Sequence, residues 1–224
     1  MYGLRTESEH CPDGVTLGAD SIFRSRSAKR HKLRLETADL RAPYVLAFVN
    51  ATDDRKLAEF LSRNGFLDSG LSECPATDLH RQQIVMAHLL ERAGSNDPQQ
   101  IAEAINTTTK LEGAWMRALK GLLKADPDDP EQLAEYHMKI VELGAPPTFT
   151  AMDDRGMVFF LCDNLAALMR AEVRLVADRG ATFSRCGHCH DGILTGAATG
   201  RRGHSRYCSN RCRTAALRAR QAAT

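Results

Sequence analysis

Residues 185–221 read RCGHCHDGILTGAATGRRGHSRYCSNRCRTAALRARQ, and this stretch contains four of the seven cysteines of the chain. The cysteines form two close pairs, and eighteen residues separate the second cysteine of the first pair from the first cysteine of the second. Two thiolates in one tight turn can bind the same metal ion, and two such turns complete a tetrahedral shell. We therefore predict a structural zinc site, with no open position for a catalytic water, at Cys186, Cys189, Cys208 and Cys212.

Disulfide bonds and redox chemistry of the first Cys-x-x-Cys pair are the alternative uses of these cysteines. The remaining three, Cys11, Cys74 and Cys162, are scattered singly, and the N-terminal region resembles neither a signal nor a transit peptide. An odd number of cysteines without a secretory segment favours a reducing compartment and metal binding by thiolates. The longest apolar run, 157–162, is too short to span a bilayer, so we expect a soluble, cytoplasmic protein.

Positive charge is concentrated in the same C-terminal stretch. Residues 185–224 hold eight arginines against one acid, Asp191, so they carry +7 and the first 184 residues carry −5 of the net charge of +2. This asymmetry is typical of a protein that meets a polyanion only through its basic part. A solvated basic tail is the alternative. The predicted nucleic-acid contacts are Arg201, Arg202, Arg206, Arg211, Arg213, Arg218 and Arg220.

The alanine-rich segment from Asn210 to Gln221 predicts a helix that begins at the second cysteine pair. Helical spacing places four small side chains on an inner stripe: Cys212, Ala215, Ala216 and Ala219. Two pairs of arginines at i, i+7 spacing, 211 with 218 and 213 with 220, lie on neighbouring outer faces. Such a helix can approach a groove closely because its alanines are small.

The C-terminal stretch resembles the treble-clef fingers of bacterial regulators. The resemblance rests on the Cys-x-x-Cys turn, a basic hairpin, and Arg206-Tyr207-Cys208-Ser209 before a cysteine that opens an Arg/Ala helix. It is most similar to the CGNR-type zinc finger that follows the ABATE domain in stress-response transcription regulators. Where that family has Cys-Gly-Asn-Arg, this chain has Asn210-Arg211-Cys212-Arg213, and its second pair is one residue closer.

A second segment is similar to the same family. Residues 46–52, LAFVNAT, resemble the Leu-Asp-Phe-Val-Asn-Thr signature that opens the ABATE domain, with Ala47 in place of the acid and one residue inserted before the threonine. A capped junction between two elements explains Asn50 and Thr52 equally well. The resemblance implies a helical body that senses a signal or forms a homodimer, and a finger whose arginine helix lies against DNA.

The hydrophobic pattern of the first 180 residues predicts a mainly α-helical body with a minor β component, followed by a small treble-clef-like finger over 184–224. Helices are expected after an N-cap at Thr52 or Asp53, over 78–93, from Pro98 past Trp115, and over 131–143. The longest helix is expected from Asp153 or Asp154 to about Ala177. In the helix over 78–93 we place Ile84, Val85, Ala87, His88 and Leu89 near the buried side.

Two parts of the body are expected to be extended or mobile. Lys32 to Thr37 alternates polar and apolar residues, which predicts an edge strand, and 148–152 is a short extended piece. Residues 1–40 are otherwise expected to be mobile. Within them, the basic run from Ser21 to Arg34 is either a second phosphate-binding arm or a solvated segment.

No motif of a known catalytic class stands out: the sequence has no Gly-rich phosphate loop, no Gly-x-Ser-x-Gly and no His-Glu-x-x-His. Three aspartate pairs, 53–54, 128–129 and 153–154, all lie at predicted helix starts, where capping explains them. We therefore expect a DNA-binding regulator rather than an enzyme. The alternatives are an adaptor that binds RNA, a ribosome or a protein, and a metal-dependent nuclease built on the same finger.

Overall fold

The computed structural model describes residues 2–68, 70–122, 124–126, 129–132, 135–136, 148–152 and 158–222. The strands are β1 (Tyr2–His10), β2 (Val15–Leu17), β3 (Ile22–Ser25), β4 (His31–Thr37), β5 (Glu73–Pro75), β6 (Thr148–Met152), β7 (Val158–Cys162), β8 (Thr182–Arg185) and β9 (Gly192–Thr195). The helices are α1 (Tyr44–Val49), α2 (Asp54–Asn64), α3 (Ala76–Ala93), α4 (Pro98–Leu122), α5 (Leu165–Asp178) and α6 (Asn210–Gln221), with a 3₁₀ turn at Ala197–Thr199.

The fold is mixed α/β, and the prediction of a mainly α-helical chain was wrong. Helices account for 47% of the residues and strands for 21%, in three small sheets. The largest sheet has the order β4-β1-β7-β6, the second β2-β3-β5, and the third is the β8-β9 hairpin. Strand β1 pairs antiparallel with β4 and parallel with β7. The edge position of β4 confirms the predicted edge strand over 32–37.

Strand β1 escaped prediction because its buried face is largely polar. Leu4 is buried there, but the next two buried positions are Thr6 and Ser8, so the strand lacks the apolar alternation that identifies a half-buried strand. The two hydroxyls are satisfied by neighbouring backbone: Thr6 Oγ1 donates to the Cys162 carbonyl at 2.8 Å, and Ser8 Oγ to the Asn64 carbonyl at 2.6 Å. A buried hydroxyl with a partner costs little, so small polar residues can fill a strand interior.

The basic run from Ser21 to Arg34 forms β3 and the first half of β4. Three of its six cations lie opposite or beside acids, as expected for pairs that offset each other's charge. Arg24 pairs with Asp20 at 2.7 Å and with Glu73 at 2.9 Å, while Lys32 and Arg34 lie opposite Glu9 and Glu7 of β1. These contacts argue against the second phosphate-binding arm.

The predicted long helix that ends near Ala177 is a strand followed by a helix. Residues 158–162 form β7, and α5 begins only at Leu165, where the side chain of Asn164 caps it by accepting from the Ala167 amide at 2.8 Å. A short apolar run such as VFFLC fits a buried strand and a buried helix equally well. The predicted caps at Asp153 and Asp154 and most of the predicted helix over 131–143 lie outside the described residues, as does the side chain of Trp115.

Several helix boundaries were predicted correctly, but one helix face was not. Asp53 caps α2 by accepting from the Lys56 amide at 2.8 Å, and α4 begins at Pro98 as expected. In α3, by contrast, Ile84 is 71% exposed, and Val85 and His88 are also exposed. Of the predicted set only Leu89 is buried, and the buried residues of α3 are Ala76, Leu79, Met86, Leu89, Leu90 and Ala93.

Helix α5 is the centre of the body. Nearly every residue from Leu165 to Val176 is buried, and the helix contacts α1, α3, α4, β1 and β7. A helix that is buried on nearly all sides is surrounded by other elements, so the rest of the body packs around α5. The core that forms around α5 extends into the C-terminal hairpin, because Leu194 of β9 belongs to it.

Candidate metal centre

The first cysteine pair lies in the turn that connects β8 to β9. The two strands pair antiparallel from Thr182 opposite Thr195 to Arg185 opposite Gly192. Beyond the last pair, the Cys186 amide donates to the Asp191 carbonyl at 2.8 Å and the His190 amide to the Cys186 carbonyl at 3.1 Å. These bonds close a tight turn that points the Cys186 and Cys189 side chains to the same side.

The second pair lies at the start of helix α6. Ser209 caps the helix, and its hydroxyl accepts from the Cys212 amide at 3.2 Å. Cys208 therefore directly precedes the cap and Cys212 lies in the first helical turn. The two pairs are joined by the Gly187 amide, which donates to the Arg206 carbonyl at 2.9 Å. Serine at the cap fixes the helix start, and with it the position of both thiols.

The four predicted ligands converge on one point. Their Sγ atoms all lie within 4.8 Å of one another, with 3.5 Å between Cys189 and Cys208 and 3.3 Å between Cys208 and Cys212. A tetrahedral site with metal–sulfur bonds of about 2.3 Å has sulfurs about 3.8 Å apart, which lies within the observed range. All four cysteines are free thiols. The cluster can therefore coordinate a metal ion with no bond rearrangement.

Backbone amides around Cys186 stabilise the thiolate form of its side chain. Burial alone would raise the pKa of the Cys186 thiol, but the amides of Cys189, Cys208 and His188 donate to its sulfur and lower the pKa to about 6. Burial raises the pKa of Cys189 and of Cys208. The three neighbouring thiols raise the pKa of Cys189 further, since closely spaced sulfurs cannot all carry charge, whereas around Cys208 the thiols of Cys212 and Cys186 raise the pKa and that of Cys189 lowers it. A bound cation would balance the negative charge of the four thiolates and displace the remaining thiol protons.

All seven arginines predicted to contact nucleic acid are exposed on the finger, the segment from β8 to α6. Arg220 donates to the hydroxyl of Tyr207. Within the described part of the chain, the other six form no ion pair: Arg201, Arg202, Arg206, Arg211, Arg213 and Arg218. In this they differ from Arg24 of β3 and from Lys32 and Arg34 of β4, which lie opposite acids.

Helix α6 projects from the finger with little packing. Ala216 is its one buried residue, and Cys212 and Ala215 are half-buried. Ala219, the last member of the predicted inner stripe, is exposed, as is 53% of Leu217. The first two turns of the helix are anchored by the cluster and the last turn extends into solvent.

The side chain of Asn50, which follows helix α1, fastens the finger to the body. Its amide nitrogen donates to the Gly192 carbonyl at 3.0 Å, and its oxygen accepts from the Gly192 amide at 2.7 Å. The carboxamide thus pairs with β9 as a neighbouring strand would, next to the first cysteine turn. The sequence indicated Asn50 as part of the ABATE-like segment or as a junction residue, but not this contact, because a partner 142 residues away leaves no local signal.

Two further contacts hold the finger. Gly94, at the end of α3, accepts from the Phe183 amide of β8 at 2.8 Å, and Glu91 pairs with Arg185. A Cβ atom at position 94 would lie 2.5 Å from the Phe183 nitrogen, so only glycine permits this approach. The finger therefore has a fixed orientation on the body, built from hydrogen bonds that no local pattern in the sequence predicted.

Gly94→Ala is expected to destabilise the protein by about 1–3 kcal/mol, because the added methyl group meets the backbone of β8 and not a movable side chain. Gly113→Ala is the matched control: among the described side chains, the end of Arg117 alone lies near the Cβ position of this helical glycine, at 3.5 Å. Alanine there should stabilise by about 0.5–1 kcal/mol through helix propensity. Urea unfolding measures the change in unfolding free energy of both variants. Equal changes would contradict the close approach of Gly94 to the backbone of Phe183.

Helix α1, which carries Asn50 at its end, is held at both termini by other helices. At its start, the carboxyl group of Glu172 in α5 accepts from the Tyr44 amide at 3.0 Å and the Val45 amide at 2.7 Å. At its end, the Gln83 amide of α3 donates to the carbonyls of Phe48 and Ala51. The two amides belong to the first turn, where a helix leaves its donors without a partner, while the Phe48 carbonyl also accepts from the Ala51 amide at 3.1 Å.

The sequence matches no protein-family model and no curated protein, and the structure matches no solved structure. The resemblance to the ABATE and CGNR families therefore rests on the quoted motifs alone. Among the described residues, no helix has both the length and the apolar character needed to cross a bilayer.

Proposed function

We propose that this chain is a zinc-binding DNA-binding protein, a transcription regulator whose finger contacts DNA through its arginines. The observation that carries the proposal is the set of exposed finger arginines without acidic partners, beside a cluster of four convergent thiols. Guanidinium groups of this kind bind phosphates in pairs of parallel hydrogen bonds. The cluster supplies the rigid base from which they project.

Zinc is the proposed metal because of the donor set. Four thiolates at tetrahedral spacing suit Zn²⁺, and soft sulfur ligands disfavour the hard cations that prefer oxygen. A shell of four cysteines leaves no ligand position for water, so the proposed role of the metal is structural and that of the protein is binding, not catalysis. Free thiols throughout the chain support a reducing compartment, such as the cytoplasm.

The proposed mechanism begins with electrostatic attraction. The finger has a net charge of +7, whereas the rest of the chain has a net charge of −5. The arginines bring a polyanion to the finger and the acidic body keeps it from binding elsewhere. Asn50 and Gly94 hold the finger in place on the body, so a bound duplex would take a defined orientation.

The test is a titration of a fluorescein-labelled random-sequence duplex at several salt concentrations. Phosphate binding predicts that log K falls linearly with log salt, with a slope of about −0.9 for each phosphate contact. Arg211→Ala combined with Arg218→Ala should make that slope about 2 units less steep. Arg55→Ala, which removes a cation from α2 in the body, is the control and should leave the slope unchanged.

Two outcomes would contradict this proposal. Absence of duplex binding at about 50 mM salt would exclude a DNA-binding finger, because non-specific binding is strongest at low salt. Tighter binding to a structured RNA than to duplex DNA would instead indicate that the protein is an RNA-binding adaptor.

A further inference from the structure

The outer surface of helix α6 is organised in three parallel strips. At about 100° per residue, two pairs of arginines form two rails about 160° apart, on nearly opposite sides of the helix and not on the neighbouring faces that were predicted. One rail consists of Arg211 and Arg218, the other of Arg213 and Arg220, whose guanidinium group also donates to the Tyr207 hydroxyl. The surface between the rails is neutral, and it lies opposite the buried Ala216.

The neutral strip consists of Asn210, Thr214 and Leu217, with Gln221 at its end. These positions follow i, i+4, i+7 and i+11 spacing, so they share one face of the helix. All four are exposed, and Leu217 is 53% exposed although it is the largest apolar side chain of the helix. An exposed leucine flanked by two rows of cations has no role in the core of the finger.

We propose that α6 enters the major groove of B-form DNA, with the two arginine rails on opposite phosphate backbones and the neutral strip against the base edges. This inference rests on the proposed function. It adds which surface of the finger contacts the bases, and that the ligand is duplex DNA in the B form. Asn210, Thr214 and Leu217 are its specificity-determining residues.

The dimensions of the helix suit this groove. An α-helix with its side chains is about 10–12 Å across, and the major groove of B-DNA is about 12 Å wide. Rails about 160° apart would therefore face the two walls of the groove. The distance along the axis from Asn210 to Leu217 is about 10 Å, which corresponds to about three base-pair steps. The major groove of duplex RNA is too narrow for the same entry.

The chemistry of the strip favours A·T pairs. A carboxamide such as that of Asn210 can bond to both N6 and N7 of adenine, and the methyl groups of Thr214 and Leu217 can contact the thymine methyl group. None of the strip residues carries the charge that would select guanine. We therefore expect a short A·T-containing recognition element of about three base pairs.

The experiment is selection of bound duplexes from a random pool by the metal-loaded full-length protein, followed by sequencing. The wild-type chain should enrich one short A·T-containing element. Asn210→Ala, Thr214→Ala and Leu217→Ala should each relax one position of that element, with a loss of discrimination of about tenfold to a hundredfold. Alanine is a good helix former, so these exposed changes should leave α6 intact.

Control variants distinguish residues that recognise bases from residues that contact phosphates. Arg218→Ala should weaken binding to all sequences alike, while the selected element stays the same. The three strip variants should keep the salt slope of the wild-type chain. Duplex RNA of the selected sequence should bind less tightly than the DNA.

The outcomes are distinguishable from those of the proposed function. If the wild-type chain binds duplexes with a steep salt dependence but enriches no sequence, the proposed function stands. The proposal that the neutral strip recognises bases is then refuted. Enrichment of one element by the wild-type chain and all three strip variants alike would refute it as well. Failure of the wild-type chain to bind any duplex would overturn both.

Discussion

Cys212→Ser is expected to abolish tight metal binding and to unfold helix α6 together with the hairpin turn that faces it. The substitution leaves three thiolates in a site whose four sulfurs all lie within 4.8 Å of one another. Structural zinc contributes on the order of 10 kcal/mol to the folding of small domains. Helix α6 has little else to hold it, because Ala216 is its one buried residue.

The measurement is hydrogen exchange followed by mass spectrometry, together with metal analysis. Amides of α6 should lose their protection in Cys212→Ser, whereas those of α5, which lies in the centre of the body, should keep it. Removal of the metal from the wild-type chain with a chelator should reproduce the same local loss. The effect is thus confined to the elements that the cluster joins.

Cys74→Ser is the matched control, since Cys74 lies on β5 outside the cluster. This variant should retain one metal ion per chain and full protection of α6. Retention of stoichiometric metal and of a protected α6 in Cys212→Ser would refute the metal centre.

Glu172→Gln is expected to destabilise the protein at low pH and to remove much of the pH dependence of its stability. Glu172 is fully buried in α5, and its two oxygens accept from the Tyr44 amide, the Val45 amide and the Thr37 hydroxyl. Glutamine supplies one acceptor oxygen in place of two, so one amide of α1 loses its partner. An unsatisfied buried donor costs about 1–3 kcal/mol.

The sign of the pH effect follows from the pKa of Glu172. Burial raises this pKa to about 7 from an ordinary value of 4.5, although the three hydrogen bonds act in the opposite direction. The folded protein therefore binds a proton more tightly than the unfolded chain, and its contribution to stability is fully present below pH 4.5. That contribution, about 3 kcal/mol, is lost as the pH rises through 7.

Urea unfolding of the metal-loaded proteins at pH 5.5 and pH 8 measures this effect. The difference in unfolding free energy between the wild-type chain and Glu172→Gln should narrow by about 2 kcal/mol over this interval. Other titrating groups are present in both proteins, so their contributions to the pH dependence cancel when the two unfolding free energies are subtracted. An unchanged difference would show that the Glu172 carboxyl group is already ionised at pH 5.5.

Local chemistry explains what the sequence predicted well. The four cysteines were found because each pair is contained in a turn of a few residues, so their spacing alone implies convergence. The same holds for the Asp53 cap of α2 and for the helix that starts at Asn210. These features depend on neighbours within a few positions of the chain.

The errors arise where distant residues decide the outcome. Strand β1 contains Thr6 and Ser8 at buried positions, which are acceptable only because carbonyls of β7 and α2 accept their hydroxyl protons. Strand β7 lies beside β1, although more than 140 residues separate them, and no local pattern distinguishes it from a helix. The exposed face of α3 likewise depends on where α5 packs, which periodicity does not reveal.

The pairing of Asn50 with Gly192 has a thermodynamic consequence for ligand binding. A finger on a flexible tether would lose its freedom of rotation when it engages a partner, and this loss would weaken the complex. Here the orientation is already fixed when the chain folds, so association involves a pre-organised surface. We expect a correspondingly small unfavourable entropy of binding, and a larger one in Asn50→Ala, which loses one of the contacts that fix the finger on the body.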